Sequence, residues 1–398
     1  MTAGLYIHIP FCEKRCGYCD FYTVTRREAQ IPAYLNALKK EINLYSNGQT
    51  VKDLVFETLF FGGGTPSLLE PEQIASLSDC IFSKFNFVPE PEITLETNPG
   101  TVNLKKLKAF RSTGINRLSL GIQSFQPNEL KILERIHSVA EAVACFKDAR
   151  KAGFANISMD LIFALPNQKL ETWKKNLELA VTLAPNHISA YNLTIANGTP
   201  FKAKVRNGTF EEVSEEVQRA MYLTTIEYLQ KAGFYQYEIS NFAQPNYPSR
   251  HNQMYWDGSS YLGLGTSAHS FINNRRFWNL SNLWKYNALL AKDELPIAGE
   301  ECLELETQSL EKIFLGLRQL RGINLKLFEE ELGFSLFDKY LKPLSRFFSC
   351  NLRDKSFIRE LTSGSRQIKA ELLKIEDGFL RLTKQGLLLC DAICAEFV

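Results

Sequence analysis

Short hydrophobic runs alternate with amphipathic stretches from residue 5 to about residue 240. The runs Leu5–Ile9, Leu54–Phe61, Glu92–Thr97, Arg117–Gly121, Asn156–Leu161 and His187–Asn192 are rich in β-branched, aromatic and leucine residues and predict strands. Between them, Ile31–Tyr45, Pro71–Phe85, Leu104–Ser112, Ala140–Ala152 and Leu170–Leu183 repeat apolar residues at helical spacing. Gly114 and Gly153 stand just past two of these helices, where a left-handed residue closes the last turn. Repeated strand-then-helix units predict a parallel α/β sheet with helical crossovers, spaced as in a barrel or partial barrel. In such folds chemistry gathers at the C-terminal ends of the strands.

The texture changes after Asn241. Residues 241–282 are rich in Asn, Ser, Tyr, Trp and Gly with weak periodicity, which predicts a long ordered loop or an extension of the sheet. Beyond about residue 304 the pattern is helical, with Leu310–Leu320 and Leu325–Leu332, followed by two alternating segments around Asp377-Gly378 that read as a hairpin. The expected division is therefore 1–240, 241–303 and 304–398. The last piece is expected to be a small helical, winged-helix-like domain. It shows no concentrated basic stripe, so it reads as a structural cap and not as a DNA reader.

Composition narrows the classes. Lys+Arg and Asp+Glu number 46 and 44, a net charge of +2, which gives no reason to expect a nucleic-acid partner. The 28 Phe and 15 Tyr are accounted for by an aromatic-rich core. No apolar run reaches the roughly 18 residues that span a bilayer. The first residues, Met-Thr-Ala-Gly-Leu-Tyr-Ile-His-Ile-Pro, lack a basic region and a cleavage site, so they are not expected to be a signal peptide. A cytoplasmic protein is expected, in a form compatible with peripheral membrane contact.

Nine cysteines, an odd number, argue against a disulfide framework. Six of them, Cys80, Cys145, Cys302, Cys350, Cys390 and Cys394, are scattered and read as buried structural thiols. The other three fall in Phe11-Cys12-Glu-Lys-Arg-Cys16-Gly-Tyr18-Cys19-Asp-Phe21. The spacing of Cys12, Cys16 and Cys19 also traces a helix face, but Pro10 and Gly17 interrupt a helix and no aliphatic residue extends the stripe. Structural zinc wants four ligands, and no fourth Cys or His is close in sequence. Three thiolates on a loop after a strand instead suit an iron–sulfur cluster with one iron left open. Lys14 and Arg15 are expected to favour the thiolate form.

This C-x3-C-x2-C motif, with Tyr18 before its last cysteine, resembles the radical S-adenosylmethionine (SAM) superfamily. The resemblance implies a partial (β/α)6 TIM-type barrel and a 4Fe–4S cluster on Cys12, Cys16 and Cys19. It further implies SAM chelating the open iron through its amino and carboxylate groups, and cleavage to a 5′-deoxyadenosyl radical by one electron from a donor. Gly63, Gly64 and Thr65, in Phe60-Phe-Gly-Gly-Gly-Thr-Pro, resemble the family's glycine motif near the methionine ammonium. Glu96 resembles the carboxylate partner of the same ammonium. Gln123, Arg135 and Asp160 resemble positions that bind the carboxylate and ribose, with Glu96, Gln123 and Asp160 read as strand-end residues. Tyr6 matches a family tyrosine near the cofactor.

Residues 4–398 resemble the oxygen-independent coproporphyrinogen III oxidase group, including its C-terminal helical domain. That group holds a true dehydrogenase and a heme-chaperone branch. The dehydrogenase carries a fourth cysteine two positions after the third, where Phe21 stands here, and a long segment before the motif, where this chain has eleven residues. The chaperone branch ends its motif in Cys-Asp-Phe, as in Cys19-Asp20-Phe21, and carries a His-Asn-x-x-Tyr-Trp motif, matched by His251-Asn252-Gln-Met-Tyr255-Trp256. The resemblance implies binding of heme, with His251 on a loop as the iron ligand and His269 as second choice. It also implies transfer of heme to acceptor hemoproteins such as those of respiration, in a protein compatible with a homodimer. Oxidation of coproporphyrinogen III is the alternative.

Overall fold

The computed structural model describes residues 1–398. The six predicted strands form, with small extensions: β1 (Thr2–Ile9), β2 (Val55–Gly63), β3 (Asn86–Thr97), β4 (Arg117–Gln123), β5 (Asn156–Phe163) and β6 (His187–Asn192). Each pairs parallel to its neighbour in that order. The predicted helices lie between them, from Ile31–Asn47 to Leu170–Thr182. Ser138 and Glu141 form a reciprocal cap on the helix Val139–Lys151. Gly114 and Gly153 take φ of +96° and +93°, the left-handed conformation their positions require.

Residues 241–302 continue the same sheet and are not a loop. The added strands are β7 (Tyr235–Gln236), β8 (Asn241–Ala243), β9 (Ser260–Leu264), β10 (His269–Ile272), β11 (Arg275–Asn279) and β12 (Ile297–Cys302). The sheet runs β12-β11-β10-β9-β1-β2-β3-β4-β5-β6-β8-β7, an open barrel wall with two edges. β9 is parallel to β1, and the hairpin β10–β11 turns the chain back antiparallel.

Side chains alternate across this wall. Leu5, Ile7 and Ile9 of β1 join a continuous core with Leu35, Leu38 and Ile42 of the first helix. The opposite parity points inward: Gly4, Tyr6 and His8 stand beside Thr58, Phe60 and Gly62, and Glu96 stands beside Ser119.

The chain divides into two compact units. The first holds residues 1–235, 240–251 and 259–301; the second holds 236–239, 252–258 and 302–398. The second unit contains the helices Leu305–Arg318, Leu325–Leu332 and Leu336–Phe347 and a small four-stranded sheet. Its hairpin, Leu373–Glu376 with Phe379–Leu382, turns at Asp377-Gly378, both at positive φ, the twist-matched two-residue turn. Of the six scattered cysteines, Cys145, Cys390 and Cys394 are buried, Cys80 and Cys350 are partly so, and Cys302 is exposed, contrary to expectation, because it ends an edge strand.

One buried carboxyl ties the outer layer together. Glu41 accepts from the Tyr286 hydroxyl (2.5 Å), the Gly265 N–H (2.8 Å) and the Asn279 amide (2.6 Å). Burial pushes it up to about 7, against these hydrogen bonds. Replacing Glu41 by Leu leaves three buried donors without their acceptor. The expected cost is about 2–5 kcal/mol, read as a lower urea midpoint at unchanged slope.

Candidate active site

The cysteine loop follows β1 directly and is held from below by the turn after β2. Gly64 donates to the Ile9 carbonyl and Thr65 to the Phe11 carbonyl, both at 2.8 Å. A Cβ on Gly64 would lie 2.7 Å from the Phe11 oxygen and 3.0 Å from Cys12 Sγ, so only glycine lets the turn come this close. Gly63 sits at φ +112°, where a side chain would also strike the His8 ring. The Thr65 hydroxyl points at Cys12 Sγ, 3.5 Å away.

Cys12, Cys16 and Cys19 line one cavity of about 540 Å³ at the C-terminal ends of the strands, with Tyr18, Gly63, Gly64, Thr65, Glu96, Gln123, Arg135 and Asp160. All eleven of the expected cluster and SAM positions other than Tyr6 thus line one pocket. Tyr6 stands apart from its lining: its hydroxyl meets His8 Nδ1 (3.0 Å) and its ring stacks on Phe60. No three His, Cys, Asp or Glu side chains converge tightly enough to share a single metal ion. Thiols spread around a cavity suit a cluster, in which each binds a different iron.

The electrostatics differ from the expectation in one respect. Burial pushes the Cys12 thiol up to about 11, and it pushes Cys19 up as well. Lys14 is turned to Glu134 and has no part in this; Arg15 favours the Cys19 thiolate, but less than burial opposes it. The cation that hydrogen-bonds a motif thiol is Arg135, whose Nη1 donates to Cys16 Sγ at 3.4 Å. Its Nη2 donates to Gly121 O and Asn98 Oδ1, while its buried Nε has no hydrogen-bond partner. An orphan guanidinium N–H at the cavity wall is a ready donor for a carboxylate.

Glu96 and Asp160 are two carboxyls in one enclosed space. Burial, and then Asp160, push Glu96 up to about 8, against the Gly63 N–H it accepts at 3.1 Å. Asp160 lies in the middle of β5 and not at its end. It accepts from Ser119 (2.8 Å), Ser189 (2.7 Å) and Ser158 (3.2 Å). Gln123 does end β4, at φ +68°, a strained conformation for a residue other than glycine.

His251 is corrected in placement. It is the second residue of a helix, Arg250–Trp256, and is 1% exposed. Its Nδ1 meets the Thr58 hydroxyl at 2.6 Å, and its ring stacks on Phe60 with centroids 4.9 Å apart. Burial, helped by Arg117, holds it down to about 3. His269, by contrast, is exposed on β10.

Several residues escaped the sequence reading. Arg117 is a buried guanidinium 4.0 Å from Glu92, and it favours the charged forms of Glu96 and Asp160. Asn98 Oδ1 bridges Arg135 and His137. The three serines on Asp160 carried a usable signal: Ser119, Ser158 and Ser189 each take a polar place at inward parity in otherwise apolar strands.

Comparison with known proteins shows the family. The profile of the Radical SAM superfamily matches residues 6–180 and that of the HemN C-terminal domain matches residues 303–389. The chain is 37% identical to the heme chaperone HemW of Bacillus subtilis, over 85% of this chain and 90% of that protein. It is 35% identical to the heme chaperone HemW of Mycobacterium tuberculosis, over 81% and 83%. Among solved structures, coproporphyrinogen III oxidase (HemN) from Escherichia coli, a radical SAM enzyme, has the same fold. Its TM-score is 0.81 at 24% identity, over 100% of this chain and 90% of that one.

The glycine turn gives the first test of the cavity. Gly64→Ala is expected to keep the native circular dichroism spectrum. After anaerobic reconstitution it should retain well under half of the wild-type iron, because the added methyl group displaces Cys12. Cys12→Ala, Cys16→Ala and Cys19→Ala should each lose the cluster absorbance, and Cys80→Ala should keep it.

Proposed function

The chain belongs to the heme chaperone HemW family within the radical SAM superfamily, and on that premise we propose that it binds a 4Fe–4S cluster, SAM and heme and passes heme to acceptor hemoproteins. The observation that carries the reading is the single cavity in which three thiols stand over a buried carboxyl pair and an orphan guanidinium N–H.

In this reading Cys12, Cys16 and Cys19 hold the cluster, which with SAM supplies one-electron reductive chemistry when bound. Glu96 accepts from the methionine amino group, beside the backbone of Gly63 and Gly64, and Thr65 steadies Cys12. Arg135 takes the carboxylate through Nε. Gln123 and Asp160 address the ribose, with the three serines holding the Asp160 carboxylate in place. Tyr18, whose ring meets Phe201 edge-on at 6.0 Å, walls the cavity beside Cys16, and Tyr6 supports Glu96 from the barrel floor. Heme binding draws on the His251-Asn252-x-x-Tyr255-Trp256 motif and on the named relatives. We place the protein in the cytoplasm, reduced by an electron donor and open to a homodimer or membrane contact at the point of delivery. No helix is long and apolar enough to cross a membrane.

Phe21 bears on the alternative. It lines the cavity and is 64% exposed, where the dehydrogenase pattern has a cysteine. Reconstituted protein given coproporphyrinogen III, SAM and a reductant is expected to form no protoporphyrinogen; cluster-dependent product would restore the enzyme reading.

Glu96 gives a pH test. Its carboxyl, raised to about 8, is largely neutral at pH 6.5 and becomes, as pH rises, the carboxylate that accepts from the methionine amino group. SAM affinity, measured by titrating the reduced cluster's paramagnetic resonance signal, should therefore tighten from pH 6.5 to 8, by up to about tenfold per unit. Glu96→Gln should remove most of that dependence and cost about 1.5–3 kcal/mol at pH 8.

A further inference from the structure

Four of the five histidines are buried inside the first unit. His8 is 5% exposed, His137 3%, His187 0% and His251 1%. Both ring nitrogens of His8 are engaged, by the Tyr6 hydroxyl and the Tyr22 carbonyl. Both of His137 are engaged as well, by Asn98 and Ile122. His187 meets Ser158. The His251 ring lies between Phe60 and the backbone of β1, so close to Gly4 that a Cβ there would stand 3.3 Å from it. A porphyrin has no open side from which to reach that ring.

His269 is different. It is exposed, and no protein group hydrogen-bonds its imidazole. It lies nearly parallel to Trp278, its directly paired neighbour across β10 and β11, with centroids 5.8 Å apart and planes at 22°. The pairing also puts Tyr261, Phe271 and Arg276 on this face, because Tyr261 opposes Phe271 and Phe271 opposes Arg276. The other face of the same hairpin, Ser270, Ile272, Phe277 and Asn279, is fully packed into the core. Trp278 lies flat over Gly299, where a Cβ would come within 2.5 Å of the indole. The result is an aromatic face with one imidazole stacked on its tryptophan. Arg276, paired with Glu301 at 2.7 Å, adds a cation at its margin.

We propose that His269 is the iron ligand for heme, that Trp278 backs its imidazole while Phe271 and Tyr261 on the same face flank a macrocycle held perpendicular to that ring, and that His251 is a positioning residue. This rests on the heme-binding reading above and names the site for it. A flat apolar ring with a metal at its centre and carboxylates at its edge asks for an accessible imidazole, aromatic contact and a nearby cation, and this face brings all three together. Partial burial and Arg276 lower the His269 pKa, which keeps the imidazole neutral at pH 7, the form that binds iron. The work of His251 is on its own helix. The backbone N–H groups of Arg250 and His251 both donate to Glu92, at 3.2 and 3.1 Å, and the ring locks the same residue to Thr58.

The test is titration of the full-length, cluster-loaded protein with ferric heme, followed by Soret absorbance and paramagnetic resonance. His269→Ala, a surface change that leaves the core intact, should weaken heme binding at least tenfold and shift the Soret band. Added free imidazole should restore the wild-type spectrum. His269→Met should give a third spectrum, and His251→Gln should keep the wild-type Soret position even where its affinity falls. Wild-type affinity and spectrum in His269→Ala would overturn the assignment while leaving heme binding intact. Loss of the imidazole-ligated signature in His251→Gln alone would return the ligand to the motif. A wild-type protein that binds no heme would sink the heme reading itself.

Discussion

Two backbone hydrogen bonds carry the architecture of the cavity: Gly64 to the Ile9 carbonyl and Thr65 to the Phe11 carbonyl. They fasten the turn after β2 to the loop after β1 and so set the height of Cys12 above the barrel floor. The contact is short enough that a methyl group would break it. The carboxyl of Glu96 is fixed from the same turn, through the Gly63 N–H. One hinge of glycine backbone thus relates the cysteine loop to a carboxylate from the next strand, with no side chain between them to adjust.

Below that contact the barrel interior is polar, which is costly unless charges balance. Arg117 supplies the positive charge for Glu92, Glu96 and Asp160, and serine hydroxyls complete the shell of Asp160. Burial still dominates, so Glu96 remains above its ordinary range. Such a floor is stable as a network and sensitive to the loss of any one member. It is also biased to accept a cation, because binding one relieves the crowding of the two carboxyls.

Most of the barrel was legible in the sequence. Hydrophobic periodicity located all six parallel strands within a few residues, because each is bounded by a turn and covered by an amphipathic helix. The cysteines, the glycine turn, Glu96, Gln123, Arg135 and Asp160 stood out as polar or small residues at strand ends or on the loops after them, and they do line one cavity. What was hidden depends on three-dimensional neighbours. The strands β9–β12 are short and carry polar residues or glycine among their apolar ones, so their periodicity is weak, and the segment read equally well as loop. The sequence around His251 is polar and aromatic, which suggests a surface, yet Thr58, Phe60 and Glu92 close on it from strands 159 to 193 positions away. Arg117 resembled an ordinary strand-initiating cation until the wall placed it inside the barrel.

The burial of the cysteine motif also governs how the empty chain ages. A protonated thiol is a weak nucleophile and a poor substrate for peroxide or disulfide exchange. Cys12 and Cys19, both held toward the thiol form by burial, are therefore less open to such attack than exposed thiolates would be. Any metal taken up by these thiols would have to displace their protons, so its binding would tighten as pH rises.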